Sequence, residues 1–483
     1  MTQQIAIAKG DGIGPEIMDA VLEILHAAHL PLEFVPVEMG KSVFERGFSS
    51  GMTEEAKAKV ESLGILLKGP METPKGKGMK SINVTARKVW NTYANKRIFR
   101  SLAGVETVFS KAGIPIDITV VRENIEDTYG SIEHMLTGDV ALCRRFITRP
   151  GSLQVHRYAF EMARRKGARR ITCGHKANIM KLTDGLFLEC FYEVAKEYPE
   201  LKADDVIVDD LCMKLVVHPE QFDVIVLPNL QGDIVSDLCA GLVGGLGFAP
   251  SANIGDHISI FEAVHGTAPD ITGQNKANPT ALLLSSCMML RHIGFVNEAA
   301  SIENALYYTL EQGIHTADIP GGKAVGTREF ANAIIANLGK HRENPAAQPD
   351  QAPAPVLQKP AALKQHKMMT AHHNTGEING ADFFIESTLQ PGEVAEKFQR
   401  DTPSNLRLVT ISNRGTQVWP TGSVFTECIN QYRVRLEKTD DAVLRQDELL
   451  TLAFMVAGQF KLCSIEILMS YDGKKSYSLA QGQ

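Results

Sequence analysis

The stretch from Glu343 to Ala362, ENPAAQPDQAPAPVLQKPAA, breaks this chain in two. It carries five prolines and, apart from Val356 and Leu357, almost no large apolar side chain. Proline locks φ and gives no backbone donor, so the run predicts a semi-extended linker rather than a strand or helix. The 483-residue chain is therefore expected to fold as a core of about 340 residues and a tail module of about 105. Either piece is long enough to bury a core of its own.

The core alternates short apolar runs with amphipathic stretches. Gln4–Ala8, Ile65–Lys68, Ile118–Arg122, Arg170–Cys173, Val206–Asp209 and Val224–Leu227 read as strands. The segment from Glu16 to Ala28 has helical periodicity. This alternation predicts an α/β architecture. The tail reads strand, helix, strand twice over, from Ala381 to Val418 and from Tyr432 to Met469, which predicts a small α+β, ferredoxin-like sandwich.

Charge and composition exclude several classes. A formal charge of −6 excludes a generic polycation that coats nucleic acid or anionic lipid. No run of about 18 apolar residues offers a membrane span, and the start, MTQQIAIAKGDGIG, is unlike a secretory signal. Eight cysteines stand singly with no C-x-x-C pair, which predicts a reduced, cytoplasmic protein.

Gly10-Asp-Gly-Ile-Gly14 follows a strand and opens a helix, but the spacing is G-x-G-x-G and Pro15 follows at once. The pattern predicts a tight strand-to-helix turn, not the dinucleotide fingerprint of a standard Rossmann fold. Arg87, Arg97 and Arg122 fall on separate elements. A guanidinium grips a carboxylate through two parallel hydrogen bonds, so three of them suit a di- or tricarboxylic acid, and surface ion pairs are the plain alternative. Asp233 and Asp237 stand four apart. A helix starting near Ile234 would put them on one side of its first turn, while Asp209 is expected to end a strand. Carboxylates with no thiol or imidazole nearby suit Mg2+ or Mn2+, and Asp233 as a helix cap is the alternative.

The motifs GDGIGPE, KGPMETP, SINVTAR, VRENIEDTY, HKANIMK, NLQGDIVSD, ANIGD and EAVHGTAPDITGQNKANP together resemble the metal-dependent β-decarboxylating dehydrogenases, the isocitrate/isopropylmalate dehydrogenase family, from Ile5 to about Lys340. The resemblance implies the two-domain α/β core of that family. A large cofactor-binding domain is expected over 1–93 and 244–340, and a small domain over 94–243 with a clasp at about 127–149. A linker over 341–376 and an α+β domain over 377–483 complete the chain. It implies oxidative decarboxylation of isocitrate to 2-oxoglutarate in the tricarboxylic acid cycle, with Mg2+ or Mn2+. Ser81 and Asn83 match the groups that hold the third carboxylate, and Arg87, Arg97 and Arg122 match the carboxylate clamp. Tyr129 matches the general acid and Lys176 the catalytic lysine. Asp209, Asp233 and Asp237 match the metal ligands. Lys176 and Asp209 are expected to serve the site of a second copy, so a homodimer is implied. Thr73, Asn83, His265, Gly266, Thr267, Ala268, Asp270, Ile271 and Asn278 match cofactor-contacting positions.

Asp270 and Ile271 replace the lysine and tyrosine typical of NADP-using relatives. A carboxylate about 6 Å from a 2′-phosphate costs roughly 3 kcal/mol at an effective dielectric of about 20, so the expectation here is NAD+. The family also holds isopropylmalate, homoisocitrate and tartrate enzymes and non-catalytic regulatory subunits. Ser81 and Asn83 would be left unpaired by an isopropyl group. The retained Arg87, Arg122, Tyr129, Lys176, Asp209, Asp233 and Asp237 argue against a regulatory subunit. For the tail, the resemblance implies subunit contact or stability.

Overall fold

The structure, a computed structural model, describes residues 2–72, 81–319, 323–340, 376–439 and 443–478. The linker and Thr73 lie outside the described residues. The chain forms two compact units. One takes in the described residues of Met1–Gly130 and Phe146–Met368, the other those of Ser131–Arg145 and Met369–Gln483.

The first unit is built on one ten-stranded mixed sheet. In spatial order its strands are Leu32–Pro36, Gln3–Ala8, Ile65–Lys68, Ser259–Ala263, Pro250–Ile254, Ala94–Arg100, Asp117–Glu123, Val224–Leu227, Arg170–His175 and Lys202–Ile207. The two flanks are parallel, as expected where helices return the chain across a sheet, and the central strands Pro250–Ile254 and Ala94–Arg100 run antiparallel to their neighbours. The flanking strands Ile65–Lys68 and Val224–Leu227 are buried along their whole length and apolar throughout except for Lys68 at the end of the first.

The antiparallel register in the middle decides where polar groups gather. Arg97 pairs with Ser251, Ser251 with Glu262, and Glu262 with Lys68. One pair further along, Arg122 lies opposite Asn95, and Asn95 opposite Asn253. Residues two apart on a strand share a face, so two adjacent rows of polar side chains lie across the centre of the sheet.

The helix Gly14–Ala27 begins at the glycine turn, with Pro15 in its first turn. Two boundaries differ from the sequence reading. The strand Lys202–Ile207 ends before Asp209, which sits in the first turn of the helix Val208–Val217. The helix Asn229–Leu242 begins five residues before Ile234, so Asp233 is not its cap. It starts early because Asp127, fully buried at a left-handed φ of 68°, accepts the otherwise unpaired Leu230 N–H at 3.0 Å.

In the second unit the strand order is Thr416–Trp419, Leu406–Asn413, Gln431–Lys438, Glu377–Glu386, Lys461–Tyr471 and Lys474–Lys475, all antiparallel. The helices Pro391–Asp401 and Gln446–Ala457 pack over Phe383, Ile385, Val434 and Leu436. The four main strands and two helices form the ferredoxin-like arrangement expected of the tail. Residues 131–145 belong to this unit: the short strands Glu133–Met135 and Ala141–Cys143 pair, and Arg144 forms an ion pair with Glu466.

Candidate active site

Arg97 is buried at the centre of the sheet and reaches the helix Asn229–Leu242. Its Nη1 donates to Ser236 Oγ at 2.6 Å, and its guanidinium lies 3.3 Å from Asp233 and 3.6 Å from Asp237. Arg122, on the neighbouring strand, donates to Asn229 Oδ1 from Nε at 3.0 Å and from Nη2 at 2.7 Å, and pairs with Asp233 through Nη1. Tyr129 stands on the 3-10 turn Asp127–Gly130 and donates its hydroxyl to Asp233 Oδ2 at 2.7 Å. The Arg122 guanidinium lies 4.9 Å from the Tyr129 ring centre.

This crowding shows in the electrostatics. Burial, helped by the charges of Arg97 and Arg87, pushes Arg122 down to about 10. Burial raises the Tyr129 phenol, so it holds its proton. Burial also works to raise Asp233, but the arginines outweigh it and the carboxyl falls below its ordinary range. Asp237 is raised, first by burial and then by the neighbouring Asp233 charge. Several guanidiniums crowded against one carboxylate make a site for further anionic groups.

Arg87, on the helix Ile82–Val89, donates to Glu262 Oε1 at 2.9 Å. Lys68 approaches the other Glu262 oxygen at 2.5 Å, and the two cations drive Glu262 far below the usual carboxylate range despite its burial. Ser81 caps that helix, its hydroxyl accepting from Val84 N at 3.4 Å. Asn83, Arg87 and Arg97 line a cleft of about 340 Å³ whose other wall is Ala263 to Thr267. Three buried polar atoms there, Asn83 Oδ1, Arg87 Nε and His265 Nε2, have no hydrogen-bond partner among the described residues. Buried polar groups are normally paired, so such atoms are groups that a polar ligand would satisfy.

The cofactor-matching positions divide. Asn83, His265, Gly266 and Thr267 line the cleft. Asn278 is spent inside the fold, donating to Asp318 at 2.9 Å and accepting from Thr280 N at 3.0 Å. Ala268, at a left-handed φ of 39°, leads into the turn Pro269–Ile271. There Asp270 is exposed and Ile271 packs against the core. The glycine turn, rejected above as a fingerprint, braces this loop: Ile13 N donates to Thr267 O at 3.0 Å. Glu16 does the same further on, accepting from Asn275 N at 3.1 Å and Ala277 N at 2.9 Å.

Lys176 and Asp209 pair with each other at 2.5 Å. Among the described residues no three acidic, histidine or cysteine side chains converge to hold a metal ion. Asp233 and Asp237 stand one helical turn apart, and Asp209 is not gathered with them within one chain. The donors are all carboxylates, which fits a hard divalent cation.

A family model described as isocitrate/isopropylmalate dehydrogenase matches residues 4–334. The chain belongs to that family. A second model, bacterial isocitrate dehydrogenase, C-terminal domain, matches residues 376–483. The chain is similar to the isocitrate dehydrogenase [NADP] of Thermus thermophilus, 43% identical over 99% of this chain and 96% of that protein. It is similar also to the isocitrate dehydrogenase [NADP] of Rickettsia bellii, 40% identical over 99% of each. A crystal structure of a Thermus thermophilus protein matches with a TM-score of 0.91 at 42% identity, covering 99% of this chain and 96% of that one.

These full-length relatives overturn the NAD+ expectation, since both are named for NADP. The physical error lies in the dielectric assigned to Asp270. The side chain is exposed. In bulk water a charge pair about 6 Å apart costs only about 0.7 kcal/mol, a few-fold effect rather than a hundredfold one. Lys276, exposed in the same loop, donates to Gln274 Oε1 at 2.9 Å. Ile271 turns toward the core and so is no marker for the ribose.

Glu262, Asn95, Asn253 and Asn229 were missed by the sequence analysis. Each acts through a cross-strand or strand-to-helix contact that no local spacing reveals. The available signal was an acid, Glu262, inside an otherwise apolar strand.

Proposed function

We propose that this chain oxidatively decarboxylates isocitrate to 2-oxoglutarate and CO2 with NADP+, in a cytoplasmic homodimer that requires Mg2+ or Mn2+. The carrying observation is a single cleft that joins Asn83, Arg87 and Arg97 to the loop His265–Thr267, with partnerless polar atoms on both walls. No helix among the described residues is long and apolar enough to cross a membrane.

In this reading Arg87, Arg97 and Arg122 grip the substrate carboxylates, and Ser81 and Asn83 receive the third one. Asp233 holds the arginines in place until substrate arrives. Asn83 and His265–Thr267 would hold NADP+, which would supply the hydride acceptor for the carbinol carbon. Asp233 and Asp237, with Asp209 from a second copy, hold the divalent cation. Bound there, the cation supplies the positive charge that favours ionisation of the substrate hydroxyl and steadies the negative oxygen as CO2 leaves. Lys176 of the second copy, as the neutral amine, accepts the hydroxyl proton and becomes the ammonium. Tyr129, kept protonated by burial, returns a proton to the carbon that lost CO2.

The shared site needs a dimer. The helices Val208–Val217 and Asn229–Leu242 expose Met213, Val216, Val217 and Ile234, with Ile234 at 60% exposure. Exposed apolar side chains of that kind are what a self-complementary interface covers. Initial rates decide the proposal. Isocitrate with NADP+ and Mn2+ is expected to turn over, with higher kcat/KM than with NAD+, and chelation is expected to stop it. Faster turnover of isopropylmalate, homoisocitrate or tartrate would overturn it.

A further inference from the structure

Asn95 and Asn253 are fully buried, lie opposite each other on adjacent strands, and do not themselves line the cleft. Their hydrogen bonds have only one consistent direction. Arg97 Nε is a donor only, and it donates to Asn95 Oδ1 at 2.7 Å. Asn95 must therefore turn its amide nitrogen away, and it donates to Ser251 Oγ at 2.7 Å and to Asn253 Oδ1 at 2.9 Å. Asn253 in turn directs its nitrogen to Glu262 Oε1 at 2.7 Å. Glu262, ionised between Lys68 and Arg87, only accepts. Asn124 seals the middle by donating to Asn253 Oδ1 at 3.0 Å and to Thr92 O at 2.8 Å.

We infer that Asn95 and Asn253 are positioning residues that set the separation and orientation of Arg87 and Arg97. The relay runs Arg97 to Asn95 to Asn253 to Glu262, and Arg87 closes it from the other side. Neither amide can rotate by half a turn without setting like atoms against each other at one end. A guanidinium held on both sides keeps one orientation when no anion is present, so less is lost in ordering it when a carboxylate binds. The inference rests on the proposed role of the arginines as the substrate clamp.

The test uses the full-length protein and the isosteric variants Asn95→Leu, Asn253→Leu and the double variant. Wild-type turnover of isocitrate is measured first, and its absence would sink the proposed function rather than this inference. With turnover established, each single variant is expected to raise KM for isocitrate about tenfold, leaving kcat and KM for the cofactor within about twofold. The double variant is expected to rise about tenfold, not a hundredfold, because one break already opens the relay. Unchanged KM in the folded variants, or singles that multiply in the double, would overturn it.

Should the leucine variants not fold, Asn253→Asp decides. It sets a carboxylate against Glu262, which Lys68 and Arg87 also face. Its KM for isocitrate is expected to rise about tenfold, with KM for the cofactor within about twofold. A KM for isocitrate equal to that of wild type in the folded variant would overturn the inference.

Discussion

Tyr129 shows how a single side chain serves two masters. Its hydroxyl steadies Asp233 at 2.7 Å, and burial keeps the proton on the oxygen. Removing the hydroxyl in Tyr129→Phe takes away the proposed proton donor but leaves the arginines. Proton transfer by a placed side chain is worth about 10²- to 10⁴-fold. So kcat for 2-oxoglutarate formation is expected to fall by at least about a hundredfold, with KM for isocitrate within a few-fold, in a steady-state assay. Lys276 is the exposed cation nearest in sequence to Asp270. Lys276→Ala is expected to raise KM for NADP+ about tenfold and leave KM for NAD+ alone, as a comparison of both cofactors would read. At this scale the sequence was informative about placement wherever the residues sat in one motif, as with Tyr129 in VRENIEDTY, which the fold brings to Asp233. It was silent on Asn95 and Asn253, because their meaning comes from register, and one slip of a strand would have put them on the opposite face. Asp270 misled for another reason: a charge effect was scaled without knowledge of exposure.

Elements place these side chains, and two of them can be tested. Gly12 has φ of 59°, and a Cβ there would sit 2.1 Å from Thr267 O. Gly12→Ala must push the loop His265–Thr267 outward. It is expected to raise KM for the nicotinamide cofactor about tenfold or more while KM for isocitrate, read in the same assay, barely moves. The helix Arg149–Lys166 carries His156, fully buried against Phe187 and Phe191, with Nε2 2.9 Å from Phe187 O. Burial pushes this histidine down to about 3. It is neutral when folded, whereas in the unfolded chain it takes a proton below about pH 6.5. The unfolded state thus binds more protons as pH drops, and stability is full above pH 6.5 and lost below it, by about 2 kcal/mol at pH 5. Urea unfolding at pH 7 and pH 5 is expected to show that extra loss in wild type and not in His156→Gln. Strand and helix cores were legible from periodicity, down to both halves of the tail. The start of Asn229–Leu242 was not, because the group that satisfies its first turn, Asp127, lies on another element.

For the whole molecule, the decisive question is whether one chain can finish its own site. Within a chain, Tyr129 joins Asp233, while Lys176 joins Asp209. If a second copy delivers Lys176 and Asp209 to the first, each dimer has two sites, and each site draws Tyr129 from one chain and Lys176 from the other. Lys176→Ala and Tyr129→Phe homodimers are then both nearly inactive, since every site lacks one group. Mixing them under conditions that exchange subunits makes about half the dimers mixed. In a mixed dimer one site inherits both defects and the other neither. Activity is therefore expected to recover to about a quarter of wild type as exchange proceeds, with a time course that follows subunit exchange. A site completed within one chain would give no recovery at all, because every chain in the mixture is itself defective.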